Sequence, residues 1–246
     1  MRSPWINLLC LPCAGASATM YMRWRRLLPA WIRVVPVELP GRGLRFAEPL
    51  VQSFDALVEQ LCDEHVRDRS GHFALFGHSM GALLAYGMTQ RLRALQQRLP
   101  CALFVSGSPA PSKRDASRYV NQGSDTELIV DLRRQGGTPD EVFENAELLR
   151  MTLNTLRADY RVCNSFVHRP VGPLPMPVHV FAGRNDDIAP PRLAAWQSET
   201  SMAYSLDWFE GGHFFIRQEE GLVLQVVVRE LLHQFTGVTL PATAAA

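Results

Sequence analysis

The chain has 246 residues, with 25 Lys+Arg against 24 Asp+Glu and a formal net charge of +1. That length suits one α/β or α+β domain with a sizeable core, or two small ones. The charge balance excludes a strongly basic nucleic-acid binder and an acidic disordered chain. Apolar residues at 47% and charged residues at 20% make an ordinary globular mixture. Lys113 is the only lysine, a trait of codon usage before it is one of function.

In chain order, Arg2, the apolar run Trp5–Leu11 and Ala16-Ser17-Ala18 imitate a secretory signal with its cleavage site. The run is short and stops at Pro12, and Cys13 to Ala18 are needed below for an active site, so a soluble cytoplasmic protein is expected. No stretch approaches the roughly 20 apolar residues of a membrane span. Short apolar runs at Ile6–Leu11, Val34–Leu39, Phe73–Phe76, Ala102–Ser106 and Val178–Ala182 read as buried strands, with Tyr204–Phe209 a weaker sixth. Helical patterns at Tyr21–Leu28, Phe54–Arg69, Ala82–Leu95, Arg192–Ser198 and Leu222–Phe235 alternate with them. The alternation predicts an α/β fold, a mostly parallel sheet flanked by helices, with the strand C-termini and their loops gathered at one edge. Between Pro109 and Pro170 the rhythm breaks: Asp125–Arg134, Pro139–Phe143 and Glu147–Phe166 are helical, with Gly136-Gly137 between the first two. A helical lid insertion over about residues 110–170 is expected there, within a single domain over 1–240 and ahead of a disordered tail at 241–246.

Five cysteines (Cys10, Cys13, Cys62, Cys101, Cys163) are an odd, sparse set and make no disulfide framework. Cys10-x-x-Cys13 lacks the second pair of a zinc site and the helix start of a redox motif. Neither a metal nor a redox cofactor is expected.

Phe76-Gly77-His78-Ser79-Met80-Gly81 lies between a predicted strand and a predicted helix, the context that gives G-x-S-x-G its meaning. A serine at such a turn is held in strained backbone geometry, exposed at a helix N-terminus that favours developing negative charge. Ser79 is therefore the expected nucleophile. His78, its neighbour, should turn its ring elsewhere and serve packing. A serine hydroxyl needs a base, and this architecture supplies triad members in the order Ser, Asp, His. Of His168, His179, His213 and His233, only His213 lies in a glycine-rich loop between the last strand and the last helix, so it is the expected base. The carboxylate should follow the penultimate strand, where Gly183-Arg184-Asn185-Asp186-Asp187-Ile188-Ala189-Pro190 offers two aspartates. Asp186 is favoured over Asp187 by its register after the glycine. Its role would be to hold the imidazole tautomer and stabilise imidazolium. The oxyanion hole needs two backbone amides: that of Met80, and one from the loop Leu11-Pro12-Cys13-Ala14-Gly15-Ala16. Ala14 is assigned, with Cys13 or Gly15 as alternatives.

These segments together resemble the stand-alone type II thioesterases of nonribosomal peptide and polyketide synthases, of the α/β-hydrolase superfamily, from about Asn7 to Phe235. Leu11 to Ala18 is similar to that family's P-x-A-G-G-S loop, with Cys13 where a His or aromatic residue is usual and Ala16 for the second glycine. Glu38-Leu39-Pro40-Gly41-Arg42-Gly43-Leu44-Arg45 is similar to L-P-G-R-G-x-R, and Gly77 to Gly81 to G-H-S-M-G. Leu156-Arg157-Ala158-Asp159-Tyr160 resembles a lid-helix motif, and Gly211 to Phe215 resembles G-G-H-F-F. The arginine of the family's S-G-R-x-x-P is missing from Ser106-Gly107-Ser108-Pro109-Ala110-Pro111. The resemblance implies proofreading: mis-loaded or stalled acyl groups are hydrolysed from the phosphopantetheine thiol of carrier domains, through an acyl-serine. A siderophore cluster of the pyochelin kind is the suggested setting. The implied partners are acyl-loaded carrier domains, with no nucleic acid, no membrane and a monomeric enzyme.

Three further expectations concern residues around the triad. Arg42 and Arg45 are read as exposed loop arginines and candidate carrier contacts. Asp159 and Tyr160 are lid-to-core residues, and Leu153 and Leu156 line the acyl pocket or the core from one helix face. The rival readings are a generic carboxylesterase or lipase on the same fold, a terminal cyclising domain, and a catalytically dead scaffold that binds carrier domains.

Overall fold

A computed structural model describes residues 6–66, 71–115 and 124–235. Its strands are β1 (Ile6–Leu11), β2 (Ile32–Pro36), β3 (His72–His78), β4 (Leu103–Ser106), β5 (Val178–Gly183) and β6 (Tyr204–Phe209). They form one six-stranded sheet in the order β2-β1-β3-β4-β5-β6, and every pairing is parallel. The α/β class and the parallel sheet follow the sequence reading. The second strand does not: it was expected at Val34–Leu39 and lies two residues earlier. Pro36 carries no N–H, and beyond it only the Val37 amide still reaches β1, at the Cys10 carbonyl (2.9 Å). Val37 and Leu39 remain buried in the core without belonging to the strand.

The sheet alternates with the period of two that strand geometry imposes. Ile6, Leu8, Cys10, Ala74, Phe76, Phe104 and Phe181 face one core. It is closed by Tyr21 and Trp24, the latter on the short helix α1 (Trp24–Leu27), and by Val223, Val227 and Leu231 of the terminal helix. Leu9, Leu11, Phe73, Leu75, Leu103, Val105, Val178 and Val180 face the other core, covered by helices α2 (Phe54–His65) and α3 (Met80–Ala94). Both faces are covered, which is why the strands read as continuous apolar runs. The helix expected to run to Arg69 ends at His65; residues 67–70 lie outside the described residues, as does the expected tail at 241–246.

Chain order reverses between β1 and β3: β1 leads outward to β2, and β3 returns on the other side of β1. The loops leaving these two strands part to opposite faces, and ligands in open α/β sheets bind in that crevice. Between β4 and β5 run α4 (Asp125–Gln135), α5 (Asp140–Glu144) and α6 (Ala146–Ser165), where the helical insertion was expected. The rest comprises α7 (Pro190–Ala194) after β5, then α8 (Phe215–Gln218) and α9 (Glu220–Gln234) after β6. Among the described residues no helix is long and apolar enough to cross a membrane.

Candidate active site

The turn from β3 into α3 is tight. Ser79 sits at φ 55°, ψ −115°, outside the regions open to ordinary L-residues. Its amide donates to the Ser106 carbonyl on β4 (2.8 Å), which holds the strained residue against the sheet edge. The flanking glycines are required by close approach. A Cβ on Gly77 would lie 2.1 Å from the Gly81 carbonyl oxygen, and one on Gly81 would lie 2.1 Å from that of Leu11. Ser79 thus caps the N-terminus of a 15-residue helix pressed against β1. The fold brings its side chain to a cleft shared with Ala14, Met80 and His213.

His213 Nδ1 is 2.9 Å from Asp186 Oδ2. That bond uses one ring nitrogen and leaves Nε2 for proton transfer at the cleft. Asp186 is itself oriented, because its Oδ1 accepts the Asp187 amide at 2.8 Å. The loops carrying the two residues are stitched together by the Asn185 amide, which donates to the Gly211 carbonyl at 2.9 Å. Asp187, the alternative carboxylate, is exposed. His78 is buried beside the pair: its ring lies 5.0 Å from that of His213, and its Nδ1 meets Ser106 Oγ at 2.9 Å. Burial, reinforced by His213 and Arg217, holds its pKa well below the ordinary histidine value. His78 therefore stands as a neutral support under the base, packed as its sequence position implied.

Met80 and Ala14 both border the cleft, and neither backbone N–H donates to any group among the described residues. Of the loop alternatives Cys13, Ala14 and Gly15, it is Ala14 that borders the cleft. The Gly15 amide is taken by Asp159 Oδ2 at 2.8 Å, and Gly15 itself occupies the left-handed region (φ 76°) that closes the turn from Cys13 to Ala16. Cys13 is buried with its sulfur 4.0 Å from that of Met20, and burial pushes its thiol up to about 12, so it remains protonated.

Several expected site residues fall elsewhere. Arg42 is not an exposed loop arginine. It is 7% exposed and bidentate to Asp159, which is 0% exposed, with both N–O distances at 2.6 Å. A third bond runs from Arg42 to the Ala16 carbonyl at 3.2 Å. Arg45 is bound to Glu48, to Glu64 and to the Glu38 carbonyl. Arg42 is therefore spent inside the fold, while Arg45 is half-buried and engaged by two surface carboxylates. Leu153 and Leu156 do not line the cleft; they are buried between α4 and α6 with Leu128, Leu132 and Tyr160. A helical stripe announces burial but not the partner. Tyr160 does border the cleft, and its hydroxyl donates to Asp131 on α4. The apolar wall is built instead by Leu83, Cys163 and Ile188, with Arg114, Gln135 and Arg192 as polar neighbours; the whole cleft holds about 590 Å³ of empty space counting its open mouth. Nothing in the sequence singles out Leu83 or Cys163 for the cleft, whereas Ile188 stands two residues after Asp186 in the loop that carries the carboxylate.

A model of the thioesterase domain family matches residues 6–235. Streptomyces venezuelae thioesterase PikA5 is 36% identical, over 87% of this chain and 76% of that protein. A Brevibacillus parabrevis protein named linear gramicidin dehydrogenase LgrE is 34% identical, over 91% of this chain and 87% of its own. The solved structure of the type II thioesterase BorB, from the borrelidin biosynthetic cluster, is 36% identical with a TM-score of 0.85 and covers 94% of both chains. With a family model spanning nearly the whole described sheet and these relatives matched along most of their length, the chain belongs to the thioesterase domain family.

Proposed function

We propose that this protein is a stand-alone serine thioesterase that removes mis-loaded or stalled acyl groups from the phosphopantetheine thiol of carrier domains. The observation that carries the reading is the His213–Asp186 bond of 2.9 Å facing the same cleft as the strained Ser79. In the reaction, Ser79 Oγ attacks the thioester carbonyl carbon as His213 Nε2 takes its proton. The Met80 and Ala14 amides hold the oxyanion, and Asp186 stabilises the imidazolium. Collapse expels the pantetheine thiolate, a good leaving group, which takes up the proton held by the His213 imidazolium and departs as the thiol. Neutral His213 Nε2 then removes a proton from water as the water oxygen attacks the acyl-serine carbonyl, and collapse of that second adduct returns the proton to Ser79 Oγ and releases the acid.

The relative named a dehydrogenase invites a redox reading. In a doubly wound sheet a dinucleotide's pyrophosphate rests on a G-x-G-x-x-G turn that opens a helix after the first strand. Here β1 leads into Pro12-Cys13-Ala14-Gly15-Ala16 and a one-turn segment at Ala18–Tyr21, which favours hydrolysis.

The proposal includes a monomeric cytoplasmic enzyme serving a synthetase, with a pyochelin-type cluster as the first setting to try. The test compares kcat/KM for short acyl groups carried by a holo-carrier domain, by coenzyme A and by an oxygen ester. The carrier thioester should be hydrolysed best. Oxygen esters turned over better than carrier thioesters would favour a generic carboxylesterase, and failure of a fluorophosphonate to label Ser79 would favour a non-catalytic scaffold.

A further inference from the structure

The loop after β1 must place one amide in the cleft, yet its turn has three consecutive N–H groups that could compete for the role. Asp159 removes one of them from the competition. Its Oδ2 accepts the Gly15 amide at 2.8 Å and an Arg42 N–H at 2.6 Å, while its Oδ1 accepts the other guanidinium nitrogen at 2.6 Å. Arg42 then reaches past the carboxylate to the Ala16 carbonyl at 3.2 Å. The Ala14–Gly15 and Ala16–Ser17 peptide planes are therefore fixed from outside the loop, and the Ala16 amide closes the turn on the Cys13 carbonyl (3.2 Å), which shares its peptide plane with the Ala14 N–H. What remains unengaged at the cleft is the Ala14 N–H.

We infer that Asp159 and Arg42 are positioning residues that set the oxyanion hole. Together they clamp the Gly15 turn so that the Ala14 amide meets the developing oxyanion. Electrostatic stabilisation of this kind depends on donors fixed before the charge appears, and a backbone amide in a short loop has no other means of being fixed than bonds to its neighbours. A charged, bidentate pair suits the task because its geometry is planar and directional. Neither side chain borders the cleft, so neither touches substrate. Asp159 rides on α6, the helix that closes the insertion, so the same bond ties the insertion to the catalytic loop.

The inference rests on the reading of Ser79 as the acylated nucleophile, and the experiment separates the two. Asp159→Leu with Arg42→Met removes both charges together and avoids a stranded ion, a substitution that buried pairs often tolerate in stability. Asp159→Asn, which keeps the shape and one acceptor, is a second variant should the first fold poorly. Each is measured on a short-chain acyl-carrier thioester, with active sites counted by fluorophosphonate titration and folding followed by thermal unfolding. The double variant should lose about 10²–10³ in kcat per titrated serine, the scale of one oxyanion donor, with KM nearly unchanged. Its affinity for a trifluoromethyl ketone should fall by a similar factor, and Asp159→Asn should fall in between. A purely structural role would lower the fraction of titratable enzyme or the melting temperature and leave kcat per site at the wild-type value; that result would overturn the inference while the thioesterase reading stood. Wild-type protein that neither labels at Ser79 nor hydrolyses the thioester would take down both.

Discussion

The Gly15 amide and the Asp159 carboxylate, 144 residues apart in sequence, meet at 2.8 Å. This contact divides the helical insertion in two. Val162 and Cys163 of α6 belong to the main core, where α6 packs on α2, and Asp159 is bonded to the loop after β1, so the C-terminal half of α6 is part of the body of the enzyme. The other part, α4, α5 and the first turns of α6, is joined to it by the Leu128–Leu156 cluster, by Tyr160 to Asp131 and by Arg217 to the Gly137 carbonyl at 2.7 Å. Truncating one member of the Arg42–Asp159 pair alone to an apolar residue would strand a buried charge, at about 3–5 kcal/mol, a cost that Asp159→Asn lessens by keeping an acceptor for the guanidinium.

Asp186→Asn should cost on the order of 10⁴ in rate, the scale known for a triad carboxylate whose loss reverses the imidazole tautomer. Asp187→Asn should cost less than tenfold, because that residue is exposed while Asp186 holds the ring. Steady-state kinetics on both variants decide it, and the reverse ranking would move the carboxylate by one position.

Ile188→Val, which trims the cleft wall by one methyl group, should shift the ratio of kcat/KM between neighbouring acyl lengths by about 1 kcal/mol. Leu153→Ala should leave that ratio alone and lower stability by about 2–5 kcal/mol, because Leu153 fills the α4–α6 interface. An acyl panel and urea unfolding of both variants test the assignment; a changed acyl profile in Leu153→Ala would return that residue to the pocket.

Gly81→Ala should destabilise by at least about 3 kcal/mol and abolish activity, since the new Cβ would fall 2.1 Å from the Leu11 carbonyl oxygen, which is backbone and has no side chain to yield. Gly221→Ala, in α9 with open space around it, should be neutral or stabilising by up to about 1 kcal/mol. Chemical denaturation of the two variants gives the comparison, and equal effects would contradict it.

Burial holds His78 and His179 below the ordinary histidine value of 6.5, in His179 against the opposing pull of Glu230. Above pH 6.5 neither folded nor unfolded chain protonates them. Below it the unfolded chain takes up protons that the folded chain refuses, so stability is lost as pH falls. The slope should reach up to about 1.4 kcal/mol per pH unit for each histidine. Urea unfolding at pH 7.5 and 5.5 measures it, and the imidazole ¹⁵N shifts of His78 at pH 5.5 should report a neutral ring. Equal or greater stability at pH 5.5 would contradict the argument.

The parts of this molecule that are legible in sequence are those with local signals. β1 and β6 coincide with Ile6–Leu11 and Tyr204–Phe209, because a strand covered on both faces or paired at a sheet edge writes its own apolar run. Ser79, Asp186 and His213 were identified one loop at a time, since each follows a strand at the same edge, and the fold brings all three there. The Arg42–Asp159 clamp left no comparable trace: its members are 117 residues apart, one in a glycine-rich loop where an arginine reads as solvated. Arg45 was misread for the same reason, its carboxylates lying 3 and 19 residues away. Leu153 and Leu156 carried the correct periodicity, but a stripe on a helix is blind to whether the surface opposite is another helix or an open cleft.

The most direct test of the account is hydrolysis of a short acyl-carrier thioester by wild-type protein, Ser79→Ala, His213→Ala and the double variant, with folding of each verified by thermal unfolding. The triad acts as a unit, so each single variant should lose about as much as the double, on the order of 10⁶ in kcat, with the fold intact. A folded Ser79→Ala protein that retains thioester hydrolysis within tenfold of the wild type would contradict the mechanism.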